Sequence, residues 1–441
     1  MNRSPMLRSL ARPRAFFPLA FLAAALAAAA CQDESPTLSD PGEFPGGVPV
    51  TLEVIVPAAE FLDVLGVHTG FASRNDFAFQ LAANQYGGSL NARTLLRFAL
   101  PDSITFSQDG TTRVRPFAIR SARLVILADS AASAPASGST LQLYELAQSF
   151  HLPTVSWTLA ADTAPAPVPW TEPGGTRGPL LDQFAYVPGA LGDSVTFQID
   201  SVEAARVRAD GHPGVLVAAG TPGTRVQFTT AALVVRARPD SAARDTTIEL
   251  TVDQLQVQRT FVFTPDPPQP AGTLQAGGIF AARSVFTVDL DRTVPGCPPP
   301  QTCAALPLRD VLLNRVSLLF RPLPTPGGFE PLEAVPLTLW TVPDPELGRR
   351  APLGFLALDP VEGLGQIRAF VPGDTLVELP ITTYSAAAVR NDSLTTTFAL
   401  LGEAVPSSSS PAPPRTFGPA LFEAAPRLRI VYTLPTRPRL P

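Results

Sequence analysis

The chain has 441 residues, of which 50 are Pro and 31 Gly, while 45% are apolar and only 16% are charged. High apolar content with little charge excludes a disordered chain, and Pro at about one residue in nine excludes long helices. The net charge is −5, all 33 basic residues are Arg, and no basic block lies beyond the N-terminus, so nucleic acid is not an expected partner.

In chain order, the first predicted element is a signal peptide over 1–30. Arg3, Arg8, Arg12 and Arg14 precede an apolar run over 15–30, which at 16 residues is short for a membrane span of ~20. Leu26-Ala27-Ala28-Ala29-Ala30-Cys31 resembles the lipobox of bacterial lipoproteins, with Ala28 standing where that family usually has Leu. The resemblance implies that Cys31 carries diacylglycerol and becomes the mature N-terminus. A lone unlipidated thiol would be a liability in an oxidising compartment. Gln32, in place of the Asp that resembles an inner-membrane retention signal, implies export to the outer membrane or cell surface. Loss of 1–30 leaves 29 Arg against 38 acids, a net charge of −9. Residues 31–48 hold the lipidated Cys and a Pro- and Gly-rich stretch without apolar periodicity, which reads as a flexible tether.

The remaining length suggests two domains, and an internal comparison supports a duplication. Thr51-Leu52-Glu53-Val54-Ile55-Val56 has a counterpart in Ile248-Glu249-Leu250-Thr251-Val252. The segment from Ala92 to Leu100 matches that from Ala282 to Leu290 at an offset of 190, and Leu141-Gln142-Leu143-Tyr144 matches Leu337-Thr338-Leu339-Trp340 at 196. Val195, Phe197 and Ile199 match Val377, Leu379 and Ile381, and Leu233 matches Leu428. Within each copy, apolar residues alternate with polar ones at period two, as in Leu96, Phe98 and Leu100 around Arg97. The predicted fold is all-β: two tandem jelly-roll-like β-sandwiches, 49–239 and 245–435, with a polar boundary near 238–245 and a tail at 436–441. One short helix is predicted in each copy, around Val202 to Arg208 and Tyr384 to Arg390.

The order Ala92-Arg93-Thr94-Leu95-Leu96-Arg97-Phe98, Ile119-Arg120-Ser121-Ala122-Arg123-Leu124 and Leu141-Gln142-Leu143-Tyr144 resembles the DNRLRE-type domain, which is related to carbohydrate-binding module family 96. Thr154-Val155-Ser156-Trp157, Trp170 with Gly174-Gly175, and Pro426-Arg427-Leu428-Arg429-Ile430-Val431-Tyr432 are similar to that family's Val-Thr-Trp, Trp and Gly-Gly, and closing-strand elements. Copy two lacks the Ser-Trp and Gly-Gly elements. The resemblance implies a jelly roll on a secreted or surface protein that acts in polysaccharide binding or adhesion, without catalysis.

Few residues could carry chemistry. Cys297 and Cys303 read as a short-loop disulfide, since an exported pair with no nearby His or third Cys does not complete a metal site. His68, His151 and His212 are isolated, no nucleophile elbow or phosphate-cradling loop occurs, and no pair among the 38 acids stands out as a glycosidase pair. Tyr144, Trp170 and Trp340 are the candidate glycan-binding residues, with core filling as the competing role, whereas Trp157 is expected to pack between the sheets. No cofactor is expected. Asp76, Asn84 and Asp193 are loop acids and amides that a structural Ca²⁺ could use, or that simply serve turns. The expected function is a non-catalytic, lipid-anchored surface or periplasmic protein with two modules for binding, structural or adhesive roles. The alternatives are a polysaccharide-binding lipoprotein and a degenerate polysaccharide-degrading enzyme. Expected partners are the membrane, through the anchor, and an extracellular polysaccharide or surface protein.

Overall fold

The computed structural model describes residues 49–435 except 73–76, 109, 164, 189–192, 209–210, 241–246, 253–256, 362–364 and 403–415. The signal peptide, Cys31, the tether, Asp76 and the tail therefore lie outside the described residues. The chain is all-β, and its strands build two sandwiches, here body one and body two.

The chain begins in body two. β1 (Thr51–Pro57) and β2 (Leu62–His68) are joined by a 3-10 turn at Ala58–Glu60. They pair with late strands: β1 lies antiparallel on Arg427–Thr433, and β2 on Arg283–Val288. Body one then follows as one stretch: β3 (Gln80–Tyr86), β4 (Leu90–Phe98), β5 (Ser103–Gln108), β6 (Thr111–Ala134), β7 (Thr140–Leu146), β8 (Leu159–Ala161), β9 (Val168–Pro169), β10 (Arg177–Ala185), β11 (Ser194–Ile199), β12 (Val215–Ala219), β13 (Thr224–Pro239), β14 (Ile248–Val252) and β15 (Val257–Thr264). Body two resumes with β16 (Thr273–Gly277), β17 (Arg283–Val288), β18 (Thr293–Val294), β19 (Leu306–Pro307), β20 (Leu312–Phe320), β21 (Pro322–Leu323), β22 (Val335–Thr341), β23 (Arg368–Phe370), β24 (Val377–Pro380), β25 (Thr397–Leu401), β26 (Pro419–Glu423) and β27 (Arg427–Thr433). Helices α1 (Ser201–Arg208) and α2 (Thr382–Ala388) follow β11 and β24.

The two bodies share one strand order. In body one, β10-β7-β12-β4-β15 faces β14-β13-β6-β11, and β3 joins the two by pairing with both β4 and β13. In body two, β23-β22-β25-β17-β2 faces β1-β27-β20-β24, with β16, β26 and β21 in a smaller sheet. β14 and β15 thus close body one as β1 and β2 close body two. The pattern of each strand explains its place. Val195, Phe197 and Ile199 of β11 face the core while Thr196 and Gln198 face outward, and the uniformly buried β12 and β25 are central strands covered on both sides.

The expected boundary near 238–245 falls between paired neighbours, since β13 ends at Pro239 and β14 begins at Ile248. β13 and β14 are antiparallel partners, with Leu233 opposite Val252 and Ala237 opposite Ile248. Consequently 49–239 and 245–435 are not separate bodies: body one is inserted between β2 and β16. The chain crosses between His68 and Gln80 and again between Thr264 and Thr273, the second time through a segment that carries Pro265, Pro267, Pro268 and Pro270.

An aromatic cluster joins the bodies. Phe77, Phe79 and Phe261 of body one pack with Ile279, Phe329 and Phe417 of body two, and Phe329 stacks on Phe417 with centroids 5.0 Å apart. Arg225 of β13, only 1% exposed, donates to the Glu330 carbonyl at 2.8 Å and lies 5.0 Å from the Phe417 ring centroid. Burial pulls its pKa down to about 10. Tyr86 beside it is pushed up to about 12 by burial and by the Glu330 carboxylate. Gly87 meets Gly328 backbone to backbone, since a Cβ on Gly87 would fall 2.4 Å from the Gly328 nitrogen.

Deleting 49–68 should therefore strip amide protection from β17 and β27 of body two while β4 and β13 of body one stay protected. Hydrogen exchange by mass spectrometry reads this directly, and loss centred on β4 and β13 would contradict the pairing.

Candidate binding cleft

The outer face of the β10-β7-β12-β4-β15 sheet is covered by a flap formed by 147–163 and 165–176. Its underside is apolar: Phe150, Val155 and Trp170 pack on Leu95, Leu146 and Leu216 of the sheet. Trp170 is 5% exposed and its indole N–H donates to the Ser156 carbonyl at 2.9 Å. The glycine pair is needed for close approach. Gly174 and Gly175 have φ of 85° and 105°, and Cβ atoms there would lie 2.7 Å from the Trp157 ring and from Leu216 respectively.

Arg93 of β4 clamps the flap. One guanidinium nitrogen donates to the Pro173 and Gly175 carbonyls at 3.2 and 3.3 Å, and the other lies 3.6 Å from Glu172. Its Cζ is 5.3 Å from the Trp157 ring centroid. Burial lowers the Arg93 pKa, and the nearby Arg177 adds to this against the opposing pull of Glu172. Glu172 also pairs with Arg177 in a short hydrogen bond. Burial alone would raise the Glu172 carboxyl, but the Arg177 hydrogen bond and the charges of Arg177 and Arg93 hold it below its ordinary value.

Between the flap edge and β15 lies a cleft of about 530 Å³ at the junction of the bodies. Phe77 and Phe261 form its floor, with centroids 4.5 Å apart, and the half-buried Trp157, Phe263 and Phe280 line its walls. Ser156, Thr158 and Thr264 supply hydroxyls, and Asp266 is the charged residue among the described lining residues. A concave, aromatic-walled site with a few polar groups, placed where two bodies meet, is the usual form of a small-ligand site.

None of the three aromatics read from the sequence as glycan-binding lines this cleft. Trp170 lies in the core beneath the flap. Tyr144 is half-buried: its hydroxyl donates to Gln142 at 3.0 Å, and the Arg177 guanidinium lies 5.5 Å from its ring centroid. Trp340 packs with Ala351 and Leu353 and donates to the Thr338 hydroxyl at 3.2 Å. Large rings on an outer sheet face attract a covering segment because burial removes their apolar area from water. Trp157, expected between the sheets, stands outside the sandwich against Gly174 and on the cleft wall. Phe263, Phe280 and Asp266 were not singled out. The alternation of Phe261 and Phe263 in Thr260-Phe261-Val262-Phe263-Thr264 was the available signal, since Asp266 carries none of its own.

The remaining candidates sit apart. Cys297 and Cys303 are at disulfide-bonding distance, with Cα atoms 5.7 Å apart, in the loop between β18 and β19, and the Tyr432 hydroxyl donates to Pro295 beside them. Asn84 donates to the Gly220 carbonyl at 3.3 Å, and Asp193 holds a left-handed turn at φ 61°. Among the described residues no group of three or more His, Cys, Asp or Glu could hold a metal. His212 accepts from the Gly214 N–H on Nδ1 at 2.9 Å and so donates from Nε2 to Glu145 at 3.2 Å, with burial lowering its pKa. In body two, Arg283 occupies the position of Arg93 but lies 3.8 Å from the Phe71 ring centroid, so its sheet is covered differently. No protein-family model matches the chain, and neither a curated protein nor a solved structure does.

Because the folded pKa of Glu172 is depressed, its ion pairs stabilise the flap fully above the unfolded value of about 4.3 and fade as pH falls through the folded value. The flap should therefore loosen on acidification below about pH 4, seen as a red shift in Trp157 and Trp170 emission with Trp340→Phe removing the third indole. Glu172→Gln should abolish that step; an unchanged step would contradict the clamp.

Proposed function

We propose that the chain is a non-catalytic, lipid-anchored protein of the cell surface or periplasm whose paired sandwiches hold an extracellular ligand. The observation that carries the reading is the aromatic-walled cleft at the junction of the bodies. The leader and Leu26-Ala27-Ala28-Ala29-Ala30-Cys31 support export and lipidation. The likeness of Arg93, Trp157, Trp170 and Gly174-Gly175 to DNRLRE-type domains belongs to the same proposal, and these residues are the ones that build and pin the flap. The tether leads into β1, so body two would stand next to the membrane and body one beyond it. Two or three acyl chains at about 0.8 kcal/mol per buried CH₂ suffice for stable anchoring.

A second reading, a polysaccharide-binding lipoprotein, rests on Trp157, Phe263 and Phe280, the half-buried rings that line the cleft. Of the aromatics named from the sequence, Trp170 lies beneath the flap, while Tyr144 and Trp340 stand apart from the cleft.

Incorporation of a labelled lipid precursor should be lost in Cys31→Ser, together with membrane partition; unchanged partition would overturn the anchor. For the cleft, retention on a panel of neutral and acidic polysaccharides should be competed by free oligosaccharide and fall at least about tenfold in Trp157→Ala, provided its far-UV spectrum is intact. Retention that is indifferent to Trp157→Ala would remove the cleft from the account.

A further inference from the structure

We infer that Gln227 and Glu333 form a proton-operated latch between the bodies: when the Glu333 carboxyl holds a proton, it closes an acid–amide pair with the Gln227 side chain and secures body two on β13. The latch is independent of what the cleft binds. Gln227 is 2% exposed and reaches out of β13 on the same side as Arg225, towards the segment between β21 and β22. Its Nε2 donates to Oε1 of the half-buried Glu333 at 3.4 Å, while its own Oε1 is buried without a hydrogen-bond partner. An unpaired buried acceptor is unfavourable, and the donor it lacks is one proton away. An ionised carboxylate only accepts, whereas a protonated one also donates its O–H. Acid and primary amide then match, with N–H to oxygen one way and O–H to oxygen the other. Turning the amide over places Oε1 against the carboxyl oxygen, a contact that needs the same proton.

The surroundings favour the proton. Burial pushes the Glu333 carboxyl above its ordinary range and the Asp129 charge adds to this, against the Gln227 hydrogen bond and the Arg225 charge. Asp129 of β6 is directly opposite Gln227, and its Oδ1 is fixed by the Ala131 and Ala132 N–H groups at 3.1 and 3.2 Å. Arg225 is committed to main-chain oxygens, donating to Gly328 and Glu330 at 3.4 and 2.8 Å, while the Glu330 carboxylate lies beside Tyr86. Because docking raises the Glu333 pKa, the latch is fully closed below the free value of about 4.3 and is lost as pH rises through the docked value. It closes in a window above the one in which the Glu172 clamp loosens. The same segment carries Phe329, stacked on Phe417, whose ring centroid is 6.1 Å from that of Phe261 in the cleft floor. The latch therefore bears on the cleft through these rings.

The test is hydrogen exchange of the whole mature protein at about pH 8 and about pH 5, with rates corrected for the intrinsic effect of pH. Peptides covering 324–334 should exchange at least about threefold more slowly at the lower pH. Glu333→Gln places a second primary amide against Gln227, which pairs without a proton, so these peptides should be slow at both pH values. Glu333→Leu and Gln227→Leu, which cannot pair, should be fast at both. Peptides from β20 and β27 report whether body two itself stays folded in each variant. A carboxyl ¹³C titration, with Glu333 assigned by its loss in Glu333→Gln, should give a midpoint above the ordinary glutamate value. Equal corrected exchange of the wild type at both pH values would overturn the latch, as would Glu333→Gln retaining the wild-type pH dependence or Glu333 titrating at or below the ordinary value.

Discussion

The architecture depends on the pairing of the first strand with the last. β1 runs antiparallel to β27 from Thr51 opposite Thr433 to Pro57 opposite Arg427, and Glu53 accepts from Arg429 through both carboxylate oxygens at 3.0 and 3.3 Å. This pairing brings Val56 and Phe61 into the core of body two. It also fixes the ends of the segment between them, so body one is an insert held by two crossings. Both crossings run into the aromatic cluster where Phe77, Phe261 and Phe417 meet. The cleft lies at that junction because the crossing at 265–272 leaves β15 on its wall. A sandwich closed by its own first strand would have had neither the insert nor the junction.

The strands were legible in the sequence, and their partners were not. Val195, Phe197 and Ile199 declare a half-buried strand by alternation alone, and the uniform apolarity of Val215 to Ala219 declares a central one. The segments aligned across the two copies occupy matching places in the two sets of sheets. Alternation cannot say which copy a strand joins, however. Leu52, Val54 and Val56 of β1 would fit beside β13 as well as beside β27, because both bodies offer the same edge. What decides is the length and direction of the connections, to which a periodicity is blind.

The site shows a similar division. The Trp157, Trp170 and Gly174-Gly175 elements stood out because their local geometry is demanding: two left-handed glycines pressed against an indole and a leucine. Their role is to pin a flap with Arg93 and Glu172, so a conspicuous pattern marked the support rather than the binding surface. Period two tells on which face Tyr144 and Trp340 lie, and it does not tell whether another segment covers that face. Phe77, Trp157, Phe263 and Phe280 come from four places in the chain and meet only once body one is inserted. In the proposed attachment, body two is the pedestal and body one carries the flap beyond it.

The most direct measurement is oxidative cross-linking of an engineered cysteine pair at Ile55 and Arg429, which face each other across β1 and β27. Ile55→Cys with Arg429→Cys should form an intrachain disulfide in the folded protein, whereas Ile55→Cys with Arg236→Cys should not. Cross-linking to position 236 instead would place β1 on body one and contradict the account.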